Sequence, residues 1–150
     1  MRPVSEVMTR HVQIISPQSS LQEAARLMDR FNVGALPVCQ SGKLQGMITD
    51  RDITVRAIAH GMNPLRTRVS EVMTEHTRWC LDHHTIDEVL KQMREVQIRR
   101  IPVLNQVGVI VGIVSLGDLA TKDPGGSQGL LRDISSPSEP DLSSLYVSRL

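Results

Sequence analysis

The hexapeptide VSEVMT occurs twice, as Val4 to Thr9 and again 65 positions later as Val69 to Thr74. In a chain of 150 residues a period this long describes two copies of one unit packed on each other, since a solenoid needs three or more shorter repeats. The likeness continues past the phrase. A shift of 65 sets Ser20 against Thr85 and Glu23 against Glu88, so S-x-x-E and T-x-x-E each read as a capping box that opens a helix. Behind the first cap stand Leu21, Ala24, Ala25, Met28 and Phe31; behind the second stand Ile86, Val89, Leu90, Met93 and Val96. Both sets follow i, i+3, i+4, i+7, i+10, the stripe of an amphipathic helix with one buried face.

The same register carries Leu36-Pro37-Val38 onto Ile101-Pro102-Val103, in apolar stretches short enough to be strands, and the prolines predict an edge or a strand start. After one inserted residue, GMITDRD (Gly46 to Asp52) matches GIVSLGD (Gly112 to Asp118), strands that run into helices. Ahead of the capped helices, Val12 to Ile15 and Thr77 to Leu81 read as a further strand in each copy. The expected fold is therefore α/β in the mixed α+β sense: two β-α-β-β-α units of about 50 residues, each too small to bury a comfortable core alone. Expected boundaries are 1–61 for the first repeat, 62–68 for the linker and 69–122 for the second repeat. The remainder, 123–150, is rich in Gly, Pro and Ser and reads as a mostly flexible tail with one helical turn at Leu130 to Ile134.

Composition narrows the function classes. The formal net charge is +1, so no large field of one sign points to nucleic acid or anionic lipid, and three aromatic residues offer no stacking platform. The longest apolar run, Val107 to Val114, is far short of the roughly 20 residues of a membrane-spanning helix. The amino terminus carries no apolar leader, which predicts a cytoplasmic protein. Cys39 and Cys80 lack metal or redox spacing, and His11, His60, His76, His83 and His84 match no zinc signature, so no metal is expected. No paired carboxylates or nucleophile-base arrangement supports turnover, and the expectation is a protein that is not an enzyme.

The most informative motif is a hydroxyl residue followed three later by Asp at a strand-to-helix junction: Thr49 with Asp52, and Ser115 with Asp118. One reading makes Thr49 and Ser115 helix caps whose Asp answers the macrodipole. The other lets the hydroxyl and free N–H groups hold a phosphate while the carboxylate accepts hydrogen bonds from ribose. The motif follows Gly-hydrophobic-hydrophobic in both copies, at the end of a matching strand.

With the two VSEVMT openings, GALPV and RRIPV, and GMITDRDI and GIVSLGDL, the chain resembles a tandem pair of cystathionine-β-synthase (CBS) domains of the small stand-alone bacterial type, over about Val4 to Thr121. The resemblance implies a pseudo-twofold pair with two clefts, a homodimer, and an adenosine-containing ligand such as AMP, ADP or ATP, with S-adenosylmethionine and NAD(H) behind them. It implies that Asp52 and Asp118 bind ribose, that Thr49 and Ser115 contact phosphate, and that Leu36, Pro37, Ile101 and Pro102 meet the base. Arg10 to Val12 and Glu75 to Arg78 would line the other wall, and the VSEVM segments would pack near the junction of the copies. Arg51 and Arg100 are the expected phosphate-binding cations, set against surface arginines with no role. The expected function is a regulatory sensor of a nucleotide with an unknown protein partner and no nucleic acid or membrane. The alternative is a stress-related protein with empty clefts that responds through Cys39 and Cys80 oxidation or histidine-bound metal.

Overall fold

The computed structural model describes residues 2–122. The tail expected over 123–150, with its helical turn, lies outside the described residues. Both predicted capping boxes form: Ser20 and Thr85 each accept a hydrogen bond from the backbone N–H of Glu23 and Glu88, whose carboxylates accept one in return. They open α1 (Leu21–Phe31) and α4 (Ile86–Val96), which end on Asn32 and Gln97 in the left-handed conformation. In α1 the stripe residues Leu21, Ala24 and Met28 are buried, but Ala25 is exposed and Phe31 is 41% exposed at the helix end.

Each repeat then forms a hairpin, β1 (Ala35–Gln40) with β2 (Lys43–Thr49) and β5 (Arg100–Leu104) with β6 (Ile110–Ser115). The first turns tightly through Ser41 and Gly42, both at positive φ, the geometry of a two-residue hairpin loop. The second takes the longer path through Asn105 and Gly108, which accommodates the inserted residue; the Asn105 side chain accepts from Val107 and Val109 backbone N–H groups. Two short strands complete the sheets. β3 (Thr74–Glu75) pairs antiparallel with β2, and β4 (Cys80–Leu81) pairs parallel with β5. The sheet orders are β1-β2-β3 and β4-β5-β6, so the fold is mixed α+β with two three-stranded sheets.

Two expectations need correction. The strand expected over Val12 to Ile15 shrinks to one bridge, Ile15 to Val38, and that expected over Thr77 to Leu81 to its last two residues. Pro102 also lies in the central strand of its sheet; it is tolerated because β5 meets β4 only at Val103 and Leu104, beyond the proline.

The repeated phrase has a structural use more specific than a place near the junction. The two lead-in segments are exchanged. Val4, Val7 and Met8 pack in a core with Ile86, Leu90, Met93, Ile101 and Leu119 of the second repeat, whereas Val69 and Val72 pack with Leu21, Met28, Leu36 and Ile48 of the first. Backbone hydrogen bonds hold the exchange with matching symmetry. Val4 N–H donates to the His84 carbonyl and Ile86 N–H to Arg2, as Val69 N–H donates to Ser19 and Leu21 N–H to Thr67. Each lead-in thereby ties down the start of the other repeat's capped helix. The short helix α3 (Val69–Val72) is the second of these segments, and its counterpart Val4–Glu6 is a 3₁₀ turn.

The exchange also explains the two motif glycines. Past each phrase the chain crosses onto the other repeat's sheet, with Thr74 beside β2 and Thr9 bridged to Ile113 of β6. A Cβ at Gly46 would run into the Thr74 carbonyl oxygen, and one at Gly112 into Met8 Sδ and the Thr9 carbonyl oxygen. Glycine is what allows the backbones to approach this closely.

Candidate functional site

The hydroxyl-x-x-Asp motifs sit where β2 and β6 pass into helices. Thr49 Oγ1 accepts from the Asp52 N–H at 3.0 Å while Asp52 Oδ2 accepts from the Thr49 N–H at 3.0 Å; Ser115 and Asp118 repeat the arrangement at the same distances. The capping geometry is therefore present in both copies. It leaves each hydroxyl its own proton and a lone pair, and the Asp52 carboxylate a second oxygen. In the first copy that oxygen faces Arg56, with Nη1 at 4.0 Å from Asp52 Oδ1 and donating to the Met73 carbonyl at 3.2 Å. Arg56 lies in an unusual helix: α2 (Asp50–Asp52) widens into a π turn (Ile53–Ala57) and tightens to 3₁₀ (Ile58–His60) before Gly61 stops it. The second copy continues as an ordinary helix, α5 (Leu116–Lys122).

Two pseudo-symmetric cavities open between the repeats. The larger, about 580 Å³, takes Met47, Thr49 and Arg51 from the first repeat and faces them with Thr74 and His76 to Arg78 on one side. Its other wall is the link from α4 to β5, Val96 to Arg100. The smaller, about 220 Å³, is built from the equivalent positions: Thr9 and His11 to Gln13, then Phe31, Val33, Ala35 and Leu36, against Ile113. His11 and His76, matched residues at the mouths of the two cavities, both have positive φ (56° and 53°), a conformation histidine adopts more readily than most residues.

The charge of the two cavities differs sharply. Arg51, Arg78, Arg99 and Arg100 line the larger one, and among the described residues no Asp or Glu joins its wall. Their equivalents around the smaller are Gly117, Gln13, Gly34 and Ala35. None of the four guanidinium groups makes an ion pair or side-chain hydrogen bond with a described residue. Four unpaired cations around one cleft repel each other and attract an anion.

Among the residues predicted from sequence, Thr49, Arg51 and Arg100 come together at the larger cavity although they belong to different repeats. Leu36 lines the smaller one. Pro37, Ile101 and Pro102 are buried in the strands, and Asp52, Ser115 and Asp118 stand half-buried at the helix starts, outside both linings. Sequence reasoning passed over Met47 and the run Val96 to Ile98. The signal was the register itself, which sets Val96 and Ile98 against Phe31 and Val33.

The cysteines offer little to a redox response. Cys39 and Cys80 are free, buried, and placed in different sheets. Burial pushes the Cys39 thiol up, and burial with the nearby Asp82 carboxylate pushes Cys80 up to about 12, so the reactive thiolate is disfavoured at both. Among the described residues no group of three or more His, Cys, Asp or Glu is arranged to hold a metal ion, and no helix is long and apolar enough to cross a membrane.

Known proteins resemble this chain in sequence and fold. The chain is 44% identical over 120 residues to the CBS domain-containing protein YhcV of Bacillus subtilis, covering 80% of this chain and 84% of that protein. It is 33% identical over 125 residues to Hypoxic response protein 1 of Mycobacterium tuberculosis, covering 83% and 87% of the two. A crystal structure of Hypoxic Response Protein I with two coordinated zinc ions superposes with a TM-score of 0.73 over 80% of this chain and 98% of that one, at 32% identity. The CBS domain pair of MJ0100, in complex with 5′-methylthioadenosine and S-adenosyl-L-methionine, gives a TM-score of 0.70 at 27% identity over 81% of this chain and 98% of that one. The CBS domain family model matches residues 4–58 and 69–125, the same two copies that the repeated phrase announces and the exchanged lead-ins lock together, and the chain belongs to the CBS domain family.

Proposed function

We propose that the chain is a non-enzymatic sensor module that binds an adenosine-containing nucleotide in the larger cleft and signals by a change in conformation or assembly. The observation that carries this reading is the cluster of Arg51, Arg78, Arg99 and Arg100, unpaired around a cavity of about 580 Å³. Guanidinium groups bind phosphate in bidentate fashion, and the volume lies within the range of about 300–1,000 Å³ usual for small-molecule sites. The adenosine derivatives in the MJ0100 complex support a nucleoside as the ligand's other half.

In this reading Thr49 and Arg51 meet the phosphate from the first repeat and Arg100 from the second, while Asp52 offers its second oxygen to ribose. Ile101 and Pro102 keep the base-side role that the family resemblance gives them, whereas Ser115, Asp118 and Leu36-Pro37 belong to the second copy of the site and are not used by a single ligand in the larger cleft. A ligand held by both repeats favours the arrangement in which the walls are at bonding distance, which is what a signal requires. Asp52 is tied through Arg56 to the Met73 carbonyl, one residue before the cleft wall, so its engagement is mechanically linked to the second lead-in. The reading includes a cytoplasmic homodimer; exposed Val55 and Ile58 on the helix after the motif support a partner copy, and two free thiols fit a reducing compartment.

Titration calorimetry of nucleotide-stripped protein with AMP, ADP, ATP, NADH and S-adenosylmethionine tests the proposal. Saturable binding of at least one nucleotide, lost in an Arg51→Gln, Arg100→Gln double variant, is the expected result. Absence of binding by all five ligands would overturn it.

A further inference from the structure

The two cavities are equivalent by sequence register yet opposite in character, and that asymmetry reaches further than the presence of a nucleotide. We infer that the larger cleft selects its ligand by phosphate count, taking a nucleoside di- or triphosphate in preference to a monophosphate, with one ligand per chain. The inference rests on the nucleotide reading above.

The argument is one of charge matching. Every cation of the larger cleft has a neutral counterpart in the smaller: Arg51 against Gly117, Arg78 against Gln13, Arg99 against Gly34 and Arg100 against Ala35. A single phosphate offers three oxygens and engages one or two guanidinium forks. Two or more arginines would then stay unpaired and mutually repelling, with no carboxylate among the described residues of the wall to relieve them. Each further phosphate adds negative charge and acceptor oxygens for these groups. Arg51 comes from one repeat while Arg78, Arg99 and Arg100 come from the other, so a longer phosphate chain has more oxygens to offer to both walls.

The same charge repels a cationic adenosine derivative, and S-adenosylmethionine carries a sulfonium. Among the described residues the smaller cavity has no Lys or Arg in its wall; it has Phe31 where the larger has Val96 and is well under half the volume. It is excluded as a second polyphosphate site.

The test is calorimetry on the stripped full chain at fixed ionic strength with AMP, ADP, ATP, inorganic tripolyphosphate and S-adenosylmethionine. Wild type is compared with Arg99→Gln, Arg100→Gln and with Arg78→Gln, exposed positions where substitution leaves the fold intact. Affinity should rise about fivefold for each phosphate added to AMP, the upper value for an exposed ion pair. Stoichiometry should be one per chain, and S-adenosylmethionine should be weakest. In the double variant the ATP advantage over AMP should shrink to about threefold or less. Equal affinities of AMP and ATP in wild type, or two ATP per chain, would overturn the inference and leave the nucleotide reading standing. Tripolyphosphate bound as tightly as ATP would overturn the nucleotide reading but keep selection by charge; binding of no nucleotide or polyphosphate would overturn both.

Discussion

Val4→Ala and Val69→Ala are equivalent substitutions whose effects should appear in opposite repeats. Both side chains are fully buried, Val4 in the core with α4 and β5 and Val69 in the core with α1 and β1. Each substitution removes two methyl groups, worth about 0.8 kcal/mol apiece, and the residual cavity raises the total to about 2 kcal/mol. Against a domain stability of about 5–15 kcal/mol the protein stays folded, but local opening becomes about 30-fold more frequent. Hydrogen exchange read by mass spectrometry locates that opening. For Val4→Ala, protection should fall more in Ile86–Val96 and Arg100–Leu104 than in Leu21–Phe31; for Val69→Ala the order should reverse. If Val4→Ala instead loosened Leu21–Phe31 and Ala35–Gln40 more, the lead-ins would belong to their own repeats and the exchange would be refuted.

Gly46→Ala pushes a methyl group into the Thr74 carbonyl, so it should cost about 1–3 kcal/mol as an overpacked site does, seen as a lower urea midpoint, whereas Gly42→Ala is spared any collision and meets only its turn's positive φ. Asp52→Ala removes one capping-box acceptor at a cost of about 1 kcal/mol in thermal stability, and it should weaken ATP binding about tenfold if the second carboxylate oxygen holds ribose. Unchanged affinity would leave Asp52 as a cap alone. Ellman's reagent should find neither thiol in the native protein and both after denaturation. Because the Cys80 thiol is raised on folding from 9.0 to about 12, its contribution is complete below pH 9 and is lost as pH climbs through the folded value, so urea stability should decline across that window, less so in Cys80→Ala.

How much of this was legible beforehand depended on whether the determinant was local. The capped helices could be read because Ser20 with Glu23 and Thr85 with Glu88 satisfy backbone groups within one turn. The hairpins could be read because β1 to β2 and β5 to β6 are adjacent in sequence. The strand expected at Val12 to Ile15 was apolar enough but pairs only at Ile15, which exchanges backbone hydrogen bonds with Pro37 and Cys39. The exchange was invisible for a deeper reason. Two identical phrases satisfy the two cores equally well on paper, and only chain geometry decides which core receives which phrase. The site was half legible for a related reason. Arg51 and Arg100 stood out near their motifs, but that they share a cleft with Arg78 and Arg99 follows from Thr74 crossing onto β2.

The most direct test is a crystal structure of the protein soaked or grown with ATP. The account predicts one nucleotide per chain between Thr49 and Arg51 on one side and Arg78, Arg99 and Arg100 on the other, with phosphates against the arginines. A nucleotide in the cavity beside Phe31 and His11 with the arginine cleft vacant, or no nucleotide at saturating concentration, would contradict it.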